Sequence, residues 1–271
     1  MNKLNLKNDI IFSAFFSRKG NEIFLKEFLE ELLKIKIEKI EIREEVNLER
    51  LAKEEKGGRL DLQARLSDGT IVNIELQVKD ENNIEKRTMY YSSKVLSREV
   101  ERGTKYKDIK QVIMINILNY DILGFDEYIS ETVTVLDKHR EYEMLNGIKW
   151  YFIELPKFRK SNPSMDKKVN QWLALIDDYK GEMIKMAEKQ NKTIGSALKE
   201  IKYLTGDAEI RRLADLREKW EMDYNSGMNY AKEEGMKQKN LEIAKKMKTD
   251  KIEIEIIMKY TGLTKKEIEQ L

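Results

Sequence analysis

A chain of 271 residues is long enough for one or two domains with a substantial core, and its 41% hydrophobic and 37% charged residues are typical of a protein rich in charged helices. Lys and Arg number 51 and Asp and Glu 49, so the net charge of +2 provides no global field that draws the chain to nucleic acid or membrane, and any nucleic-acid surface must be a local patch. The absence of cysteine excludes disulfides, thiol nucleophiles and thiolate metal sites. The single histidine, His139, excludes multi-histidine metal sites, and we interpret it as an exposed loop residue.

The sequence also lacks the signals of a membrane protein. No apolar run reaches the length of a transmembrane helix, and the N-terminus has no apolar signal-peptide core. We therefore expect a cytoplasmic chain with no membrane partner.

The first 58 residues predict two helices, a strand and a connector. Helical periodicity covers residues 5–34 and is interrupted at Gly20 and Asn21. Alternating isoleucines predict a first strand within residues 35–46, and the charged run 49–58 predicts a connector. Asp9 lies at the start of the first helix, where an acid can satisfy exposed backbone N–H groups.

Residues 56–80 predict a β-hairpin whose register has a chemical consequence. Apolar residues occupy the even positions of strands 59–66 and 71–78, and polar residues occupy the odd positions. A two-residue loop would place Leu62 opposite Glu75. A three-residue loop 67–69, with Gly69 at positive φ, pairs Leu62 with Ile74 and Asp61 with Glu75. Only the second register keeps one face apolar, so we predict that one.

Two carboxylates in direct cross-strand contact need a compensating charge. A proton, a basic side chain such as Arg65 or Lys79, or a divalent cation could supply it. Mg²⁺ prefers oxygen ligands and is commonly held by one or two carboxylates. Either acid alone would be interpreted as part of a solvated hairpin face, whereas the pair Asp61 and Glu75 favours a metal site.

The segment after the hairpin predicts a helix and three further strands. A helix over residues 81–102 places Arg87, Tyr90, Tyr91 and Lys94 near one another. The group either faces a phosphate or is an ordinary amphipathic surface with half-buried tyrosines. Apolar runs predict strands at 111–118, 131–136 and 148–155, with Pro156 ending the unit. The resulting mixture of helices and strands predicts an α/β fold, a mixed sheet flanked by helices and followed by an all-α C-terminal region.

We divide the chain into an α/β domain at 1–158, a helical satellite region at 159–225 that starts near Pro163, and a C-terminal helical segment at 226–271.

Within the C-terminal segment, three small residues recur every four positions: Gly227, Ala231 and Gly235. Each Gly in a helix costs about 1 kcal/mol relative to Ala. The helix therefore bends there, forms a frayed linker, or is closely approached by another helix in self-association. The chain ends in a helix-turn-helix-like segment with a capping box at Thr264 and Glu267, which suits packing or dimerisation better than DNA reading.

Several of these segments resemble a known enzyme group. Asp61 followed by Glu75-Leu76-Gln77 resembles the D…E-x-K core of the PD-(D/E)XK nucleases, and more narrowly the Rpn group of recombination-promoting nucleases and transposases, in which Gln commonly replaces Lys. The runs 8–12 and 153–158, together with Arg87 and Tyr91, are similar to recurring segments of that group. The resemblance covers residues 6–158 well.

The resemblance implies a restriction-endonuclease-like fold and a metal-dependent DNA endonuclease linked to recombination or mobile elements. Asp61, Glu75 and the backbone carbonyl of Leu76 would hold Mg²⁺, or alternatively Mn²⁺ or Ca²⁺. Gln77 would orient water or phosphate without the positive charge of Lys, and Asp9 of the first helix would lie near the site.

For DNA binding, the resemblance implies Arg87 against a phosphate and Tyr91 beside the site. Lys79, which shares the face of Gln77, would add a positive charge. The alternative function is a catalytically weak or inactive module of the same fold that binds DNA or a partner and self-associates through the C-terminal helices. A third possibility is a structural adaptor that acts through its helical half. Homo-oligomerisation through those helices is expected in the first two cases.

Overall fold

The computed structural model describes residues 4–43, 62–100, 105–144, 147–178 and 181–271. Residues up to 217 form one compact unit, and residues 218–271 form a second. The strands are β1 (Ile40–Ile42), β2 (Leu62–Leu66), β3 (Ile71–Gln77), β4 (Val112–Leu118), β5 (Ile129–Glu131), β6 (Val135–Leu136), β7 (His139–Glu143) and β8 (Ile148–Glu154). The α-helices are α1 (Asp9–Ser17), α2 (Glu22–Leu33), α3 (Ile84–Glu99), α4 (Leu155–Ser161), α5 (Lys168–Asp178), α6 (Glu182–Gln190), α7 (Lys192–Leu204), α8 (Ala208–Thr249), α9 (Ile254–Thr261) and α10 (Lys265–Glu269).

Among the described residues, six strands form one mixed sheet in the order β1-β2-β3-β4-β8-β5. The three central strands β3, β4 and β8 run parallel, whereas β1, β2 and β5 pair antiparallel with their neighbours. Helix α3 connects β3 to β4, as a parallel crossover requires. The mixed sheet with flanking helices and the all-α C-terminal region confirm the predicted fold class.

The β2–β3 hairpin has the predicted register. Leu62 pairs with Ile74, and the amide of Leu66 donates to the carbonyl of Thr70 at 2.9 Å. Gly69 adopts a φ of +89°, and a Cβ there would also lie 3.0 Å from the side chain of Lys110. The three-residue loop therefore depends on glycine at this position, as the apolar pattern predicted.

The even face of the hairpin packs in the main core. Val72 and Ile74 lie fully buried in a cluster that includes the phenylalanines of α1 and α2 and residues of α5 to α7. Trp172 of α5 lies 6.3 Å from Phe24 and 6.4 Å from Phe28 between ring centroids. Helices α5 to α7 thus share the core of the sheet, while the three-part domain division stays a prediction.

The odd face of β3 lies under α3. Small apolar clusters join that helix to the sheet, and Thr88 and Ser92 turn polar groups toward it. The hydroxyl of Thr88 donates to Oδ1 of Asn116 at 3.1 Å, and Trp150 Nε1 donates to Ser92 Oγ at 3.2 Å. This face is therefore a mixed polar and apolar layer.

Several predicted elements differ from the structure. The first strand is only Ile40–Ile42 within the described part of 35–46, because Lys34 takes a left-handed conformation at the end of α2 and residues 35–39 form no strand. The predicted strand 131–136 divides into the end of β5 and β6. β6 pairs with β7, so His139 is exposed as expected but lies on a strand and not in a loop.

One proline signal was misinterpreted, and the other has a different local role. Pro156 lies in the first turn of α4, where its missing N–H costs nothing, and its role as the end of the α/β domain stays a prediction. Asn162 ends α4 with a φ of +46°, and the next helix begins at Lys168. The pair 162–163 therefore belongs to a helix-ending turn.

The second unit contains the described α8 from residue 218 onward, α9 and α10. A small core of Ala244, Ile257, Leu263 and Ile268 joins these helices. Added Cβ atoms at Gly227 and Gly235 would meet nothing within 4 Å, so no described helix closely approaches those glycines. The Thr264–Glu267 capping box is present as predicted. Over the described ranges, no helix is both long and apolar enough to span a membrane.

Candidate active site

The centre of the site is the buried carboxylate of Glu75. Its residue exposure is 2%, on the odd face of β3 near the end of the strand. Oε2 accepts hydrogen bonds from Gln77 Nε2 and from Arg87 Nε, both at 3.3 Å. Oε1 is buried and has no hydrogen-bond partner among the described atoms. An acceptor oxygen left in this state costs free energy unless another group binds it.

Arg87 reaches Glu75 from the first turns of α3. Its side chain is 8% exposed, and Nη1 lies 3.8 Å from Glu81 Oε2. Its guanidinium carbon lies 6.0 Å from the ring centroid of Tyr91, one turn later on the same helix. The structure thus brings together Glu75, Gln77, Arg87 and Tyr91, four of the residues predicted from the sequence.

Two asparagines extend the polar character of this face. Asn116 is the register partner of Glu75 on the neighbouring parallel strand, and its amide nitrogen donates to the carbonyl of Tyr151 at 3.2 Å. Asn116 also accepts a hydrogen bond from the Thr88 hydroxyl. This bond holds α3 against the sheet at the residue that follows Arg87. Asn73 is fully buried two residues before Glu75, and both polar atoms of its amide have no partner within the described ranges.

Tyr120 is a residue that the sequence reasoning missed. It lies two residues after the end of β4, and the amide of the intervening Asn119 donates to the carbonyl of Gln77 at 2.9 Å. Burial raises the pKa of the Tyr120 phenol to about 12, with Asp80, Glu81 and Glu75 adding to the rise and Arg87 opposing it. No motif marks this tyrosine, and the one available signal was its place near the end of a central parallel strand.

The side chain of Asp9 forms its hydrogen bonds with groups other than the site residues described above. Its Oδ1 accepts from the amide of Ile10 at 2.9 Å, and its Oδ2 accepts from Arg217 Nε at 2.8 Å. Burial raises the pKa of Asp9, while the charge and hydrogen bond of Arg217 act in the opposite direction. These contacts suit a helix N-terminal acid, and a role for Asp9 in the active site stays a prediction.

The remaining predicted residues are only partly described. Asp61 lies outside the described residues, next to Leu62 in the chain, so its apposition to Glu75 stays a prediction. Lys79 lies exposed beyond β3, and Arg65 forms an ion pair with Glu99 of α3. Within the described ranges, no cluster of three or more His, Asp or Glu side chains suitable for a metal occurs. The metal-binding set Asp61, Glu75 and Leu76 is therefore untested.

Comparisons with known proteins supply the family. A sequence model of the PD-(D/E)XK nuclease family transposase matches residues 6–231. Neither the comparison with curated proteins nor the comparison with solved structures found a match. The match includes the strand that carries Glu75, helices α3 to α7 and the first part of α8, and it agrees with the mixed sheet and flanking helices described above. The chain therefore belongs to the PD-(D/E)XK nuclease family transposase, a family that points to nuclease or transposase-like function.

Proposed function

We propose that this chain is a metal-dependent DNA endonuclease whose active site is centred on Glu75. The observation that carries the proposal is the buried carboxylate with one oxygen, Oε1, that no described group binds. A buried acid of this kind is retained against its free-energy cost when it serves a ligand. Membership of a nuclease family gives the ligand its chemical class, a hard cation next to a phosphodiester.

The residues present suit Mg²⁺, with Mn²⁺ or Ca²⁺ as related occupants. Glu75 offers a carboxylate oxygen, and we assign the second carboxylate to Asp61 and a carbonyl oxygen to Leu76. Two carboxylates and a carbonyl leave coordination positions for water and a phosphate oxygen, as Mg²⁺ sites commonly do. When bound, the ion would polarise the scissile phosphate and acidify a bound water.

The chain's own residues orient the reactants in this proposal. We assign Gln77 to the Lys position of the D…E-x-K pattern, and its side chain forms a hydrogen bond to Glu75 at 3.3 Å. An amide can both donate and accept, so it orients water or phosphate but adds no positive charge. Arg87 supplies that charge, and its contacts to Glu75 and Glu81 use Nε and Nη1 of a group with five donors. Tyr91 and Lys79 extend the proposed DNA-binding surface.

A plasmid-nicking assay tests the proposal. Purified protein is titrated with Mg²⁺ and Mn²⁺ on supercoiled plasmid, beside Asp61→Asn and Glu75→Gln. Both substitutions preserve side-chain size, so we expect both variants to fold, and circular dichroism checks this. We expect metal-dependent nicking to fall at least 100-fold in both variants, because each loses a charged ligand. Glu85→Gln changes an exposed acid on α3 and serves as the matched control. Unchanged nicking by Glu75→Gln protein would overturn the proposal.

Gln77→Lys sharpens the test of the assigned position. A lysine there would place a positive charge near the scissile phosphate, where charge develops in the transition state. We expect kcat to rise relative to the native protein if residue 77 faces the reacting phosphate. A fall in kcat with unchanged metal affinity would show that Lys is not accommodated at this position.

A second candidate function is a catalytically weak or inactive module that binds DNA and self-associates. The observation that favours it is the Arg87–Glu75 pair, because a neutralised carboxylate can persist without a metal. The same assay discriminates: DNA binding without nicking at any metal concentration supports the module. Participation in recombination and oligomerisation through the C-terminal helices are further parts of the proposal. Light scattering of the full chain tests the second of these.

A further inference from the structure

We propose that Tyr120 is a phosphate-binding residue of this site, and that Glu154 and Lys157 position it. The inference deepens the proposed nuclease function and rests on it. It assigns a role to the run 153–158, whose charged residues take no part in the hydrolysis described above.

The first step is the location of Tyr120. The backbone of the residue before it is hydrogen-bonded to Gln77, so Tyr120 begins the loop at the end of β4, beside the end of β3. Its ring packs against a small cluster of Ile84, Leu118 and Phe152, and it remains partly exposed. Ile84 is the first residue of α3, one turn before Arg87. Tyr120 therefore lies between the two strand ends and the helix that carries the arginine of the site.

The second step is the way this loop is held. Glu154 is fully buried at the end of β8, and its Oε1 accepts hydrogen bonds from the amides of Ile122 at 2.5 Å and Leu123 at 3.1 Å. Its Oε2 accepts from Lys157 Nζ at 2.7 Å, and Lys157 also donates to the carbonyl of Leu123 at 2.7 Å. A buried ion pair that also binds three backbone groups of one loop fixes that loop in a single conformation.

The third step is the chemistry of the phenol. A tyrosine O–H is protonated at neutral pH and donates hydrogen bonds to anionic oxygens. The nearby ionisable groups are the acids Asp80, Glu81 and Glu75 and the cation Arg87. The Tyr120 hydroxyl is neutral, so it does not compete with Arg87 for the carboxylates of these acids. It can therefore donate its hydrogen bond to a phosphate oxygen. The fixed loop places that donor at the strand ends where the phosphodiester binds.

Tyr120→Phe is the direct test, because it removes the hydroxyl and keeps the packed ring. We expect kcat for Mg²⁺-dependent plasmid nicking to fall about 10- to 100-fold, the usual range for a hydrogen bond to a charged group. Tyr106→Phe, at a residue that is 91% exposed, is the matched control and should nick at the native rate. If Tyr120→Phe also nicks at the native rate, the inference is wrong.

Two comparisons separate this inference from the proposed function. If Glu75→Gln protein is inactive while Tyr120→Phe protein is fully active, the nuclease proposal stands and the Tyr120 inference fails. If the native protein does not nick at all, affinity for a short fluorescent DNA duplex decides the matter. Weaker binding by Tyr120→Phe than by Tyr106→Phe protein supports a phosphate contact, and equal binding overturns it.

The positioning role of Glu154 and Lys157 has its own readout. Glu154→Gln should lower kcat in the native background but have little further effect in the Tyr120→Phe background, because both changes remove the same contact. A merely structural role would lower kcat by the same factor in both backgrounds. Should Glu154→Gln protein fail to fold, Lys157→Met provides the same cycle from the more accessible partner.

Discussion

The seven residues of β3 contribute to an ordinary apolar core on one face of the strand and to a candidate site on the other. Val72 and Ile74 project into a large apolar core between the sheet and the helices α1, α2 and α5 to α7. Asn73 and Glu75 are equally buried but project toward α3, with polar atoms that no described group binds. Burial alone therefore does not distinguish the two faces of β3, whereas the polarity of the buried side chains does.

The difference shows which face contributes more to stability. Each methylene that an apolar side chain removes from water in the main core stabilises the fold. A buried amide or carboxylate atom without a partner destabilises the fold relative to an apolar residue of similar size. The odd face of β3 therefore contributes less to stability than the even face, as is common at functional sites.

The largest effect is expected on the apolar face. Ile74→Ala removes a side chain that is 1% exposed from the main core, and we expect a loss of about 2–5 kcal/mol in the free energy of unfolding. Urea unfolding followed by circular dichroism measures it. Ile23→Ala, at a residue that is 59% exposed, is the matched control and should change stability little. A loss below about 1 kcal/mol for Ile74→Ala would contradict the assignment of this face to the core.

On the polar face, breaking the ion pair and replacing it should have opposite outcomes. Arg87→Met leaves the buried Glu75 without its cation, and we expect a loss of about 3 kcal/mol in the free energy of unfolding. The double variant Glu75→Leu with Arg87→Met replaces the pair by apolar groups and should unfold within about 1 kcal/mol of the native protein. Nicking should be absent in the double variant.

These two variants test the comparison directly. If the double variant is as unstable as Arg87→Met alone, the pair contributes to stability, and the polar face does not differ in kind from the apolar one. Thermal and urea unfolding both give the required values. Circular dichroism at low temperature confirms that each protein is folded before unfolding begins.

The hairpin was predictable because its pattern is local. Alternation of apolar residues and the need for one apolar face determined the loop length and the pairing of Leu62 with Ile74. Gly69 gave the turn a residue able to take positive φ. The same reasoning identified Glu75, whereas the family resemblance pointed to Gln77, Arg87 and Tyr91. The four residues lie on neighbouring elements and come together once β3 and α3 are packed.

The features missed depend on long-range contacts. Tyr120 lies beside the end of β3 because β4 pairs in parallel with β3, a pairing that no local pattern in its own segment specifies. Asn116 is the polar residue of an otherwise apolar strand, and its hydrogen bonds to Thr88 and Tyr151 join residues that are far apart in the chain. Pro156 can end or begin a helix, and only the observed α4 distinguishes the two.

Metal binding should stabilise the folded protein through the polar face. Mg²⁺ at ten times its dissociation constant raises the free energy of unfolding by about 1.4 kcal/mol, provided the ion binds the native state alone. We expect a rise in Tm for the native protein and none for Glu75→Gln. The Glu85→Gln control should respond as the native protein does. An equal rise in all three proteins would indicate nonspecific ion binding and no metal site at Glu75.

The smallest effect is expected at the edge of the apolar face, where a salt bridge borders solvent. Glu131 of β5 lies 2.7 Å from Lys149 Nζ and opposite Tyr151, and hydrogen bonds from both residues lower its pKa below the usual 4.5. A lowered folded-state pKa gives stability that is present above the unfolded value and is lost as pH falls through the folded value. The carboxylate side chain is 49% exposed, so solvent screening limits the contribution to less than about 1 kcal/mol.

Glu131→Gln therefore should lower the free energy of unfolding slightly at pH 7, and the difference from the native protein should vanish as pH falls through the lowered folded-state pKa of Glu131. Urea unfolding at a series of pH values measures this, with Glu127→Gln, an exposed acid of the same segment, as the control. A difference that persists in acid would mean that the side chain acts through packing and not through its charge. Glu131 would then stabilise the protein through its contacts, as the apolar residues of the same face do, and its charge would contribute nothing measurable.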